Sequence, residues 1–178
     1  MSDNWSSIYD ASTKTFTIPS TVKELSKNWA NKLSKTQLND IRDLKKLIFL
    51  EGIENIVDYF YNLSHYFGVY SIEDLILPKS LRFIGESAFS GVDFKNPINI
   101  PEGVERIERY AFQSSLPLII NLPKSLKELD FLSIKTRGIG WLGNITVRYA
   151  GSKAEWNKLI QDWPPELKKD IKNKVEFI

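Results

Sequence analysis

The chain has 178 residues, with 24 lysines and arginines against 22 aspartates and glutamates, one histidine and no cysteine. A net charge of +2 is too balanced to argue for a polyanionic partner or an anionic membrane. The missing cysteine removes disulfides, thiolate nucleophiles and cysteine-based zinc sites together.

No apolar run approaches the roughly 20 residues of a membrane-spanning helix. Met1-Ser2-Asp3-Asn4 has neither the basic start nor the apolar core of a secretory signal, so a cytoplasmic location is expected. A chain of this length buries about 70% of its unfolded surface and needs neither disulfide nor metal to fold. One domain is therefore expected, with residues 1–144 as its body and 145–178 as its closing segment.

Residues 5–18 predict a hairpin: a strand over 5–9, a polar turn at Asp10-Ala11-Ser12-Thr13-Lys14, and a strand Thr15-Phe16-Thr17-Ile18 with period-two alternation. Such a hairpin covers an edge that would otherwise pair with other chains. Leu38, Ile41, Leu44 and Leu47 recur every third residue, a helical stripe running into a strand. Residues 53–67 gather Tyr59, Phe60, Tyr61, Tyr66 and Phe67, with Tyr70 just beyond.

An internal repeat runs through this whole region. Anchored on Pro19, Leu50, Pro78, Pro101 and Pro123, five stretches superimpose. Three residues before the anchor stand Phe16, Leu47, Leu75, Ile98 and Ile120; one before it, Ile18, Phe49, Leu77, Ile100 and Leu122. Three after it come Val22, Ile53, Leu81, Val104 and Leu126; six after it, Leu25, Ile56, Ile84, Ile107 and Leu129. The last three anchors are 23 and 22 residues apart and the earlier ones 31 and 28. A period in the low twenties predicts an α/β repeat, a leucine-rich-repeat-like solenoid of short strands over residues 1–144.

Proline has no N–H and holds its predecessor extended, so each anchor ends one strand and turns the chain into a second. Glu86-Ser87-Ala88-Phe89 and Glu108-Arg109-Tyr110-Ala111-Phe112 then return it. Phe89 and Phe112 share one offset, which Tyr61 and Ile134 occupy in copies two and five, and all read as core.

Side chains alternate along a strand, so Thr17, Ile48, Ile76, Asn99 and Asn121 should form a row facing away from the core. Lys23, Glu54, Arg82, Glu105 and Lys127 form a second outward row, and Glu24, Asn55, Phe83, Arg106 and Glu128 a third. Alternating charge suits a solvated face. Ile48, Ile76 and Phe83 are apolar where the pattern is mostly polar. With Tyr61, Tyr66 and Tyr70 they would make a hot spot rimmed by Arg82 and Arg106; the tyrosines read equally as packing within an enlarged repeat.

After the last copy the pattern departs. Residues 145–149 predict a strand, and Ser152-Lys153-Ala154-Glu155 is a capping box opening a helix with Trp156, Leu159 and Ile160 on its apolar face. Pro164-Pro165 interrupts it, a second short helix follows, and 175–178 is a strand; together these read as an α+β C-terminal cap. Gly138-Ile139-Gly140-Trp141-Leu142-Gly143 spells the dinucleotide fingerprint, but a strand pattern follows it where a helix N-terminus is required, so it reads as a turn. His65, the lone histidine, has no triad or zinc partners. No paired carboxylates sit in a motif for glycosidase chemistry. Asn4, Asn62 and Asn144 fit the glycosylation pattern, which matters only on a secretory route.

Copies three and four, Ile76-Leu77-Pro78-Lys79-Ser80-Leu81-Arg82-Phe83-Ile84-Gly85-Glu86-Ser87-Ala88-Phe89 and Ile100-Pro101-Glu102-Gly103-Val104-Glu105-Arg106-Ile107-Glu108-Arg109-Tyr110-Ala111-Phe112, resemble the BspA-type leucine-rich repeat. Copy five keeps Leu122-Pro123-Lys124-Ser125-Leu126 without the Ala-Phe pair, and copies one and two are degenerate. The resemblance covers roughly residues 15–178. It implies a curved solenoid, a role in adhesion or protein recognition, and no catalytic residues; Gly91 and Ser114 replace the family's frequent cysteine.

The expected function is a non-catalytic protein-binding module, without cofactor or metal, using either the sheet face or the aromatic segment 57–70. An intracellular inhibitor from a phage or mobile element is one form of it. The alternatives are a cell-surface adhesion protein and a nucleic-acid-binding protein, the latter requiring Arg82, Arg106, Arg109, Lys127 and Arg148 to gather on one face.

Overall fold

The structure, a computed structural model, describes residues 9–19, 34–56, 68–114, 118–136, 138, 140 and 142–178. In chain order the elements are β1 (Tyr9–Asp10), β2 (Thr15–Ile18), α1 (Lys35–Ile41), β3 (Lys46–Phe49), β4 (Asn55–Ile56), β5 (Ser71–Ile72), β6 (Asp74–Ile76), β7 (Phe83–Ile84), β8 (Asp93–Phe94) and β9 (Ile98–Asn99). There follow β10 (Arg106–Ile107), β11 (Leu118–Leu122), β12 (Glu128–Leu129), β13 (Ile145–Tyr149), α2 (Lys153–Leu159), α3 (Pro165–Ile171) and β14 (Val175–Phe177).

The hairpin forms: β1 pairs antiparallel with β2, Tyr9 opposite Phe16. Residues 5–8 of its first strand lie outside the described residues. The Asp10 carboxylate accepts hydrogen bonds from the Ser12 and Thr13 N–H groups and the Ser12 hydroxyl, which hold its pKa down at about 2. The expected stripe is helix only as far as Ile41; Leu44 and Leu47 continue it as buried residues of the following turn and strand.

Each copy contributes one strand before its anchor and, among the described residues, copies two to five contribute one after it. The strands after the anchor form one parallel sheet in the order β12-β10-β7-β4, with Ile56, Ile84, Ile107 and Leu129 in register. The strands before the anchor form two sheets, β1-β2-β3-β6 and β14-β13-β11-β9, with Phe16, Leu47 and Leu75 in register in the first and Ile98 and Ile120 in the second. Every described member of the four apolar columns is buried; Val22 and Leu25 lie outside the described residues.

Ser87 and Tyr110, each three residues past a column isoleucine, take positive φ of 57° and 59°. This left-handed bend turns each return segment so that its phenylalanine enters the core. Phe89 and Phe112 stack at 5.2 Å, with Phe49 and Phe94 edge-on to Phe89 at 6.0 and 6.3 Å. Ile134 is buried as expected, and Tyr61 lies outside the described residues.

Serines fasten one copy to the copy before it. The Ser80 hydroxyl accepts from the Gly52 N–H at 2.8 Å and donates to the Ile53 carbonyl at 2.9 Å. Ser125 does the same to Gly103 and Val104, both at 2.9 Å. Alternate anchor turns therefore read Glu-Gly and Lys-Ser, each serine serving the glycine turn beside it. Gly103 has φ 104°, and a side chain there would collide with Arg82 Nη1 at 2.4 Å.

The departure expected after the last copy is corrected by the ladder. β13 runs parallel to β11 with Val147 beside Ile120 and Tyr149 beside Leu122, and β14 adds Val175 and Phe177 beside those. The inward columns continue through Val147 and Tyr149, both buried, with Ala150 at the anchor position, and end at β14, where Val175 is half-buried and Phe177 exposed. The capping box forms between Ser152 and Glu155. Trp156 packs between Tyr149 at 5.4 Å and Trp163 at 6.2 Å, and Trp163 Nε1 donates to the Leu129 carbonyl at 2.9 Å.

The glycine-rich turn leads into β13, not a helix. Its Leu142 N–H donates to Asp170 at 2.8 Å, and a side chain at Gly143 would meet the Thr136 carbonyl oxygen at 2.1 Å.

Candidate protein-binding surface

The outward row exists in two pieces. Thr17, Ile48 and Ile76 are neighbours across β2, β3 and β6. Asn99 and Asn121 are neighbours across β9 and β11, with the Asn121 amide donating to Asn99 Oδ1 at 2.5 Å. Arg148 and Glu176 extend this second piece and pair at 3.1 Å. Along the row, chemistry passes from aliphatic to amide to charged. Ile76 is 47% exposed, and Leu50, the anchor residue of the second copy, is 41% exposed.

Phe83 does not join Ile48 and Ile76. It lies in β7, in the other sheet, beyond the anchor turn. There Arg106 stands over its ring at 4.6 Å and also pairs with Glu108 and with Glu128, the latter at 3.8 Å. Arg82 folds back on the anchor turn, its Nη1 donating to the carbonyls of Lys79 and Leu81, both at 3.0 Å.

Tyr70 is 65% exposed, but it precedes β5, which pairs with β8 in a separate two-stranded sheet. Tyr61, Tyr66 and His65 lie outside the described residues. Of the cations a nucleic acid would need, Arg106, Arg109 and Lys127 line one cleft, where Lys127 pairs with Glu105 at 2.9 Å, whereas Arg148 stands in β13, in a different sheet, salt-bridged to Glu176.

Two of the clefts on the described surface bear on these residues. The wider, about 520 Å³, lies between the ends of β10 and β12 and the turn after α2; charges of both signs line it, including Arg106, Arg109, Glu108, Glu128, Lys158 and Asp162. The other, about 360 Å³, lies on the outward face between β6 and β9, lined by Leu75, Ile76, Leu77, Lys79, Asn99, Pro101 and Glu102.

The second cleft has a local cause. At the start of β3 the Lys46 N–H donates to the Lys14 carbonyl at 3.2 Å, and at the start of β6 the Asp74 N–H donates to the Lys45 carbonyl at 3.1 Å. Pro97 stands at the equivalent place before β9 and has no N–H to give. The ladder lapses there, and β6 and β9 are not joined.

Upstream the two copies stay closed. Asn96 donates its N–H to the Glu73 carbonyl at 3.2 Å and its side-chain amide to Asp74 at 2.8 Å. That amide bond, followed by Lys46, draws the Asp74 pKa below its ordinary value. Beside the lapse Leu75, Leu77 and Ile100 are 8%, 9% and 6% exposed, where the same columns elsewhere are at most 2%.

The family model of the BspA type leucine rich repeat region matches residues 62–133, in six copies. That stretch is similar to the BspA-type leucine-rich repeat region, and the fold is leucine-rich-repeat-like, built among the described residues mostly of short strands with few helices. Among solved structures the chain is similar to a leucine rich cell surface protein from Faecalibacterium prausnitzii, with a TM-score of 0.56 and 20% identity over 85% of this chain. The match spans 35% of that protein's length. No curated protein matches the sequence.

Proposed function

We propose that the chain is a non-catalytic module that binds a partner protein through the outward face of β3, β6 and β9. The supporting observation is that Ile48 and Ile76 stand side by side on the parallel sheet and Leu50 follows just past the end of β3, with Ile76 and Leu50 exposed. Exposed aliphatic residues grouped this way mark interfaces, and stacked repeats commonly supply binding surfaces.

In this reading the copies form a solenoid within one domain. The hairpin β1–β2 covers its first rung and α2–α3 its last. The test is capture of a stoichiometric partner by the native protein and by an Ile48→Glu/Ile76→Glu variant that melts normally. Loss of the complex in the variant supports the reading; an undiminished complex refutes it.

One observation bears on where this happens. The structural neighbour is described as a cell surface protein, which favours an adhesion form of the reading over an intracellular-inhibitor form. Protease treatment of intact cells would remove a surface protein. Protection until lysis would refute the adhesion form and leave the binding face itself untouched.

A further inference from the structure

We propose that the cleft between β6 and β9 receives one large apolar side chain of the partner protein, carried on a short segment with an acidic residue toward Lys79 and a basic residue toward Glu102. The inference rests on the protein-binding reading and names what that face takes. The walls are Leu75, Ile76, Leu77 and Pro101, and the volume, about 360 Å³, lies at the lower end of the range of ligand sites.

Three observations place the anchor here and not elsewhere on the face. Pro97 lacks the second of the two N–H groups that serve the carbonyl at each equivalent junction. Leu75, Leu77 and Ile100 beside the lapse, though buried, are slightly more open than the same two columns elsewhere. Ile76, at the rim, is the most exposed aliphatic residue of the row, and an apolar pocket with a polar rim is the arrangement that concentrates binding energy.

The occupant's chemistry follows from the lips and the floor. Lys79 and Glu102, the residues after two successive anchors, stand on opposite sides of the cleft, so a segment crossing it meets one charge of each sign. The Asp74 N–H is directed to the strand before it. Backbone groups alternate sides along a parallel strand, so those of Leu75 and Leu77 face the cleft. A peptide has donors and acceptors to offer them; a lipid chain has none.

The experiment is methyl NMR of the full protein, titrated with the capped peptide acetyl-Glu-Leu-Lys-amide. It reads the weak affinity expected of so small a ligand. Saturable shifts confined to the methyls of Leu75, Ile76 and Leu77 are expected, with none from acetyl-Glu-Ala-Lys-amide. Ile76→Ala should weaken binding about tenfold, and Arg148→Ala, on the same face away from the cleft, should leave it unchanged.

Shifts equal for the two peptides, or absent up to the solubility limit, would overturn the inference. So would shifts of these methyls that depend on protein concentration alone, since the occupant is then a second copy of the chain. If the peptide fails while the partner complex still forms and is lost in Ile48→Glu/Ile76→Glu, the binding face stands and only the anchor site falls.

Discussion

Replacing Ser80 by alanine tests whether the copies are fastened at their anchor turns. The hydroxyl is held by the Gly52 N–H and the Ile53 carbonyl, both in the preceding copy. A net hydrogen bond contributes about 1 kcal/mol, and a buried group left unpaired costs more. The Gly52 N–H is exposed and regains water, so Ser80→Ala should cost about 1–2 kcal/mol.

Ser125 makes the same pair of bonds, both partly buried, and should cost the same or slightly more. The two sites share no partner, so the double variant should lose about 2–4 kcal/mol, additively. In a chain of this size each kcal/mol lowers the melting temperature by about 2–4 °C. Urea unfolding followed by circular dichroism reads the loss, with the m-value unchanged. Losses below about 0.3 kcal/mol at both sites would refute the fastening, given what even a modest net hydrogen bond contributes.

Phe89→Ala removes a fully buried ring in contact with three others and should cost about 3–5 kcal/mol in the same assay. Ile76→Glu should change stability by no more than about 0.5 kcal/mol while abolishing partner capture; a large loss of stability would place Ile76 in the core instead of on the binding face.

Stability should be flat above about pH 5 and fall on acidification. Asp10, Glu51, Asp74 and Glu155 are all held below their ordinary pKa, chiefly by hydrogen bonds from Ser12, the Lys79 N–H, Asn96 and the Ser152 N–H respectively. A depressed carboxylate stabilises above its unfolded value and stops doing so as pH falls through its folded one. Urea midpoints measured from neutral pH down to pH 3 check this, and a midpoint that rises on acidification contradicts it.

The anchors made the repeat readable because proline enforces one backbone geometry wherever it occurs, and the columns around it were the core. Where the proline is replaced, as at Ala150, the inward residues Val147 and Tyr149 still stood two apart. The longer spacing hid them, and the last rungs read as a departure. Pooling Ile48, Ile76 and Phe83 into one patch failed for a geometric reason: the anchor turn puts Phe83 in a different sheet, and adjacency in a repeat unit is not adjacency on a face. Arg82 looked like a rim cation because nothing local says that Gly103, 21 residues on, leaves room for its guanidinium. The cleft had a signal in plain view. Pro97 takes the place of Thr15, Lys46, Asp74 and Ile119, each of which has an N–H, and it stands where the ladder between β6 and β9 lapses.

The most direct measurement is oxidative cross-linking in this cysteine-free chain. Asn99→Cys/Asn121→Cys puts two thiols side by side on the outward row of adjacent parallel strands, at the strand spacing that suits a disulfide. Asn99→Cys/Ile120→Cys, one residue out of register, points the second thiol into the core. Rapid intramolecular closure of the first pair and none of the second is the expected result; closure of the second, or failure of the first in a folded protein, would contradict the stacked register on which the proposed binding face depends.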